Sequence, residues 1–309
     1  MYPIPETTAA DDSLLVSVVI ASVNGLPAIA ECLQALLDQE ASVRYEVIVV
    51  DRCGEATRAA IRGFPPSHVR LIAVDGTPSI PRLRAIGTAQ ARGRMVAVLE
   101  DHCNVAPGWL LAIEGAWRAG HQVVGGAVEN GSTERLVDWA VFFCEYARFM
   151  PPLEGGVVTE ITGNNSVYDR RLLARLGPEL EDEACEARLH RRLREMGVEL
   201  YCDPQLLVFH KKEFGFGYFL SQRFHTSRSF AGERLAGARR WKRWAYAGAT
   251  PLLPPLLMSR IIAAVWRKRR HRAILLQALP LIGAFLIPWA WGEAVGALRG
   301  PGDSPSRVE

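Results

Sequence analysis

The sequence predicts an α/β fold: a mostly parallel sheet with helices on both faces, followed by a C-terminal membrane-associated helical segment. Three observations carry this. Runs that are apolar throughout alternate with stretches of helical spacing, and a strand with no polar face is covered on both sides. Charged side chains gather where those runs stop. Beyond about Arg234 the composition turns basic and aromatic, between long uncharged runs.

The first 13 residues, MYPIPETTAADDS, are polar, acidic and proline-containing, and read as a flexible tail rather than a signal or transit peptide. Residues 14–21 (LLVSVVIA) form the first buried strand, and residues 28–37 have helical spacing. Residues 45–51 (YEVIVVD) and 69–74 give the next two strands. Residues 80–91 read as a helix and 95–99 as a fourth strand, with a further one at 122–128. Residues 157–175 contain a strand, the polar turn GNNS and a helix. A charged helix follows at 181–196 and an extended piece at 201–210.

Residues 14–235 are therefore expected to form the α/β domain, 236–300 a basic and aromatic membrane-associated region, and 301–309 a flexible tail. Between residues 234 and 272 there are eleven Lys or Arg and no Asp or Glu, a segment suited to an anionic membrane surface. The uncharged run at 244–259 has 16 residues and is broken by Pro251, Pro254 and Pro255, too short and broken for a comfortable span. The run at 273–292 has twenty, and at 1.5 Å per residue such a helix is about 30 Å long, enough to cross a bilayer core. If the first run crossed, the RKRRHR cluster at 267–272 would lie outside, against the positive-inside rule. The expectation is a first segment lying in the interface, the cluster on the cytoplasmic face, and a second segment that spans once or dips back. A buried helical hairpin is the competing reading.

A net charge of +3 on 309 residues does not mark a nucleic-acid binder. The six cysteines are scattered with no CxxC pair, which excludes a zinc ribbon and fits a reducing compartment.

The chemistry is expected at the strand ends, because ligands of open parallel sheets bind beyond the carboxyl ends of the strands. The stretch VLEDHCNVAPGWL ends a strand in Glu100, Asp101 and His102, metal-competent groups that are costly to gather unless something pairs with them. Asp51 ends the second strand. No GxGxxG or GxxxxGK[ST] follows the first strand. The sequence there is ASVNG, so a nucleotide near Ala21 and Asn24 would be held by side chains rather than by a glycine cradle. His68, His121, His190 and His271 read as surface or packing residues.

VSVVIASVNG, VIVVDRCGEATR and LRAIGTAQARGRMVAVLEDH, in that order, resemble the nucleotide-binding half of family 2 glycosyltransferases with the GT-A (Rossmann-like) fold. The likeness continues through GNNSVYDRRLL, EARLHRRLREMG and DPQLLVFH, and covers roughly residues 16–232. It implies transfer of a sugar from a nucleotide-diphosphate sugar, with inversion and a divalent metal, Mn²⁺ or Mg²⁺. The acceptor would be lipid-linked or a polysaccharide precursor, and uridine is the first guess for the base. Asp51 would contact the nucleotide base, and Arg84 would lie near the ribose and diphosphate. Glu100 and His102 occupy the outer places of the family's DxD metal motif, which here reads Glu-Asp-His. Asp101 is open as a ligand or nucleotide contact instead, with His102 then touching only phosphate. His210 would complete the metal and diphosphate site.

The resemblance puts the general base at Glu186, preceded by Cys185 where the family has an acid, or, with a shifted alignment, at Asp182. Gly163, Asn164 and Asn165 would hold donor or acceptor, unless GNNS is only a turn. Gln222, Arg223 and His225 would lie over the diphosphate, unless their helix is merely interfacial. Two other readings compete. A nucleotidyltransferase would want more glycine after the first strand than ASVNG has. A catalytically degenerate membrane-bound scaffold would bind a nucleotide sugar without turning it over.

Overall fold

The computed structural model describes residues 11, 13–40, 42–176 and 186–308. The chain divides into two compact units, Met1–Gly131 with Phe149–Lys211, and Ser132–Arg148 with Lys212–Glu309.

In chain order the first unit holds β1 (Val16–Ser22), α1 (Ala28–Leu37), β2 (Tyr45–Asp51), α2 (Glu55–Arg62), β3 (Val69–Ala73), α3 (Ile80–Ala89), β4 (Met95–Glu100), β5 (Cys103–Val105), α4 (Trp109–Arg118) and β6 (Val123–Asn130). The chain then leaves for α5 (Leu136–Tyr146) of the second unit. It returns as β7 (Gly156–Val158), β8 (Asn165–Asp169), α6 (Arg170–Leu176), α7 (Glu186–Glu195) and β9 (Leu200–His210). The nine strands form one sheet in the order β3-β2-β1-β4-β8-β6-β9-β5, with β7 also paired to β9.

β1 to β4 run parallel, as their unbroken apolar runs imply. Beyond β4 the sheet is mixed: β8 is antiparallel to β4 and β6, and β5 and β7 are antiparallel to β9. Apolar runs report coverage of both faces and are silent on direction. The core between strands and helices is built from Val19, Ile48, Val50, Val96, Leu83 and Ile86. α3 lies so close to β1 that a Cβ at Gly87 would sit 2.5 Å from Val19 Cγ1. His190 packs in this unit, its Nε2 2.8 Å from the Tyr168 hydroxyl, and His121 stacks on Tyr201 at 3.7 Å between ring centroids.

The β6–β9 pairing carries an irregularity. Gly126 faces Asp203, but Ala127 faces Leu207, so residues 204–206 bulge from β9 where Pro204 cannot donate to the ladder. A Cβ at Gly126 would lie 1.7 Å from the Leu206 carbonyl oxygen, so only glycine allows the approach. The side chain of Asn165, fully buried, closes the gap. Its Nδ2 donates to the Ala127 and Leu206 carbonyls at 3.0 and 2.7 Å, and its Oδ1 accepts from Trp109 Nε1 at 3.0 Å.

The second unit consists of α5, α8 (Phe216–Arg234), α9 (Arg240–Ala249), α10 (Leu253–Lys268) and α11 (Arg272–Arg299). The prolines expected to break the first apolar run do not. Pro251 sits in a short 3₁₀ turn, and Pro254 and Pro255 fall in the first turn of α10, where a missing N–H costs nothing. Residues 240–268 thus form one helical stretch. Together with α11 it is long and apolar enough to cross a membrane, by length and composition. α11 runs on past residue 292 through Pro280 and Pro288 and carries a buried Glu293, which accepts from the Tyr246 hydroxyl at 2.7 Å and pairs with Arg234. Arg269 and His271, both at positive φ, turn the chain between α10 and α11, and the His271 ring leans on Trp139 of α5. Residues 301–308 are not a loose tail. Ser304 Oγ lies 2.9 Å from His225 Nδ1, and Gln222 Nε2 donates to the Arg307 carbonyl at 3.0 Å.

Asn165→Leu removes partners from one buried N–H and two buried carbonyls. At about 1–3 kcal/mol for each group left unpaired, the unfolding free energy should fall by about 3 kcal/mol or more. A lower urea midpoint at unchanged slope is the expected reading.

Candidate active site

The parallel strands β1, β2 and β4 end at one edge, and their register pairs Ala21 with Glu100 and Ser22 with Asp51. That shared edge gathers the predicted strand-end residues. Asp101, almost fully buried, turns back onto the segment after β1. Its Oδ2 accepts from the Val23 and Asn24 amides at 2.8 and 2.7 Å, and its Oδ1 accepts from Asn24 Nδ2 at 2.7 Å. Burial opposes its ionisation, but His102 and these donors outweigh burial and lower its pKa. Asp101 thus faces the protein rather than a ligand, which leaves the outer two residues of Glu-Asp-His to converge.

Glu100, His102 and His210 place one ligand atom each within 4.8 Å of one another. His210 arrives from the end of β9, which is zipped to β5 by the Cys103–His210 pair. His102 Nε2 stands 3.0 Å from His210 Nε2 and 3.3 Å from Glu100 Oε2. His102 Nδ1 lies 3.0 Å from Asp101 Oδ1. Asn24 Nδ2 lies 3.1 Å from the same nitrogen, so two tautomers are open to the ring; the one in which Nδ1 donates to Asp101 leaves Nε2 bare and aimed at the other two groups. Carboxylate-held imidazoles present metal ligands in this way.

Two imidazole nitrogens this close share either one proton or one cation, and the carboxylate beside them stabilises whichever positive charge is held there. The donor set of two nitrogens and one oxygen suits Mn²⁺ better than Mg²⁺, which prefers oxygen. Arg84 approaches from α3, with a guanidinium nitrogen 3.3 Å from Glu100 Oε1. Burial resists ionisation of Glu100, but His102, Arg84 and His210 hold its carboxyl well below the usual range, while a quarter of its side-chain surface stays open (25%). Burial likewise opposes the charged form of His102, yet its bonds to Asp101 and Glu100 raise its pKa above the ordinary value.

Asp51 lies at the same edge with no exposed surface. Oδ1 accepts from Ser22 Oγ at 2.8 Å, and Oδ2 from the Cys53 amide at 3.1 Å and Arg58 Nε at 3.2 Å. Arg58 also donates to the Val74 carbonyl at 2.8 Å, which holds its guanidinium beside this carboxylate. Arg58 escaped the sequence reading because α2 did. Its EATRAAIR stretch is made of good helix formers but is only eight residues long with one large apolar side chain, Ile61, although an arginine seven residues after Asp51 is the available signal.

Of the GNNS turn, Gly163 is half-buried, and Asn164 is buried with an Oδ1 that finds no hydrogen-bond partner. The expectation that Asn165 meets donor or acceptor gives way to its structural role, since this fully buried side chain uses both amide hydrogens and its carbonyl oxygen on β6, β9 and α4. Gln222, Arg223 and His225 belong to α8 of the second unit, and Gln222 and His225 have their partners there. Glu186 opens α7, but its side chain, like Asp182 as a whole, lies outside the described residues.

Residues 17–177, just over half the chain, match the family model described as glycosyl transferase family 2. The chain belongs to that family. Over 117 residues it is 39% identical to the succinoglycan biosynthesis protein ExoO of Rhizobium meliloti (strain 1021), a match covering 37% of this chain and 32% of that one. The match thus spans about a third of that relative's length. Among solved structures, the mannosyltransferase PcManGT from Pyrobaculum calidifontis, in complex with GDP-Man and Mn²⁺, superposes with a TM-score of 0.60 at 16% identity, covering 94% of this chain and 90% of that one. Residues 1–349 of S. aureus TarS give a TM-score of 0.54 at 14% identity, covering 91% of each chain. These likenesses establish the GT-A fold.

Mn²⁺ binding should weaken as pH falls, because the cation needs neutral imidazole and the raised pKa of His102 brings proton competition on early. Below that pKa the affinity should drop by about tenfold per pH unit. A manganese titration followed by paramagnetic resonance between pH 8 and pH 6 reads this directly, and His102→Ala should flatten the profile while abolishing tight binding.

Proposed function

We propose that the chain transfers a sugar from a nucleotide-diphosphate sugar to a lipid-linked or saccharide-precursor acceptor, with inversion at the anomeric carbon. The observation that carries this is the convergence of Glu100, His102 and His210 at the strand edge of a family 2 chain. A divalent cation held by these three would stabilise negative charge growing on the departing diphosphate. Arg84 adds a fixed positive charge at the same place. Asp101 fixes the Val23–Asn24 segment, against which the nucleoside would lie near Ala21, with Asp51 and Arg58 lining the base end. Gly163 and Asn164 would meet donor or acceptor, Asn164 through its unpartnered carbonyl oxygen. Glu186, or Asp182, would take the proton of the acceptor hydroxyl.

The acceptor class rests on two supports. One is the likeness to a succinoglycan biosynthesis protein. The other is the second unit, whose apolar helices expose Trp241, Trp244, Trp266 and Trp291. Basic clusters flank the 240–268 helix at both ends, at 239–243 and 267–272. Neither end is suited to crossing, so that stretch reads as lying in the headgroup region on the cytoplasmic face, with α11 spanning once or dipping back. The Glu-Asp-His departure from the family's DxD motif and the lone Glu186 after Cys185 favour a second reading, a transferase-like scaffold that binds a donor and does not turn it over.

A thermal-shift screen of the protein in detergent with UDP, GDP, CDP and TDP, each with Mn²⁺, Mg²⁺ or EDTA, tests the donor site. One nucleotide should raise the midpoint only with metal, and Glu100→Gln should remove the shift. No metal-dependent shift with any of the four would end the donor reading. A shift without turnover of the matching sugar nucleotide would select the scaffold.

A further inference from the structure

The second unit contains a cavity of about 280 Å³ between α5, α8, α10 and α11. Its polar wall holds three guanidinium groups, Arg148, Arg223 and Arg260, against one carboxylate, Glu145. Its apolar wall includes Leu257, Ile261 and Leu286. Arg223 is the unusual member. It is 7% exposed, its Nε has no hydrogen-bond partner, and its guanidinium stacks over the Trp289 ring at 3.8 Å. Burial pulls its pKa down from the ordinary guanidinium value. Glu145 attracts this cation only from a distance, with no direct ion pair, so the cation's burial is destabilising, and cation–π stacking offsets only about 1–2 kcal/mol of that. Such an arrangement persists where an anion completes it. The stack fixes the guanidinium plane in advance, as two-point recognition of a phosphate requires.

We propose that this cavity binds the phosphate of an anionic lipid, with Arg223 as the buried anchor and Arg148 and Arg260 at its sides. The acyl chains then lie along Leu257, Ile261 and Leu286, on helices apolar enough to meet lipid. The Arg223 expected to meet the donor diphosphate is thereby reassigned to a phosphate carried on an alkyl chain. The site stands independently of sugar transfer and of any metal.

The full chain in a nonionic maltoside detergent is titrated calorimetrically with three probes: dioctanoyl phosphatidic acid, dioctanoylglycerol and inorganic phosphate. Phosphatidic acid should bind one site at least tenfold more tightly than either of the others. Arg223→Met should weaken that binding at least tenfold at an unchanged or higher thermal midpoint, because a buried unpaired charge is replaced by an apolar chain. Arg260 is exposed, so Arg260→Gln tests the same cavity without risk to the fold and should weaken binding severalfold. Arg171→Gln removes the same charge from an exposed position of the first unit and should change nothing. Undiminished binding in Arg223→Met or in Arg260→Gln overturns the proposal. So does equal affinity for inorganic phosphate, which would make this a free-anion site, or for dioctanoylglycerol, which would make it merely apolar. No probe contains a nucleotide, so this result and the donor screen fail or succeed separately.

Discussion

Two backbone amides and one side-chain amide point at the buried carboxylate of Asp101, and the candidate active site depends on that arrangement. Charge-assisted bonds of this kind contribute about 1.5–3 kcal/mol each, enough to hold an ionised acid out of water and to pin the Val23–Asn24 segment to the end of β4. The same carboxylate orients the His102 ring, so one residue sets both the loop after β1 and the direction of a metal-competent nitrogen. The local charges then almost balance. Glu100 and Asp101 carry two negative charges and Arg84 returns one positive charge when both imidazoles are in the neutral form that a metal ligand requires. The net deficit is of the sign that a divalent cation corrects.

Much of this was legible in the sequence because it rests on local pattern. The fully apolar runs ending in Asp51 and in Glu100-Asp101-His102 gave the strands and the edge at which they stop. The partition of roles within the trio was not legible. Asp101 turns inward because the Val23 and Asn24 amides lie on the neighbouring strand's exit, a contact across 77 and 78 positions that no local pattern records. Asn165 was misread for a related reason. Asparagine in a GNNS turn looks free to meet a ligand, and only the bulge in β9 reveals the two carbonyls that it satisfies. α5 was missed because only Asp138 and Glu145 interrupt LVDWAVFFCEY, too few polar positions to mark a helical period in a short apolar run.

The composition change near residue 234 suggested a catalytic domain with an appended tail. The packing differs, since α5 and α8 join α10 and α11 in the second unit, and residues 132–148 interrupt the first. Composition follows solvent exposure, and α5 is covered by other helices whichever unit it serves. The prolines misled in the same way. They were judged as helix breakers by their spacing, whereas their position in the first turn of α10 lets the helix begin there.

Glu293 has a consequence for how the chain is made. It lies within an apolar helix and is held by Arg234 and Tyr246, both encoded before it. When the ribosome delivers α11, both partners have already emerged. The acid can therefore be neutralised as its helix docks, and at no stage need it enter an apolar surrounding alone. The reverse order of synthesis would leave a bare carboxylate waiting for its cation. Chain direction thus acts here as a safeguard of assembly, built into the primary structure rather than into the finished fold.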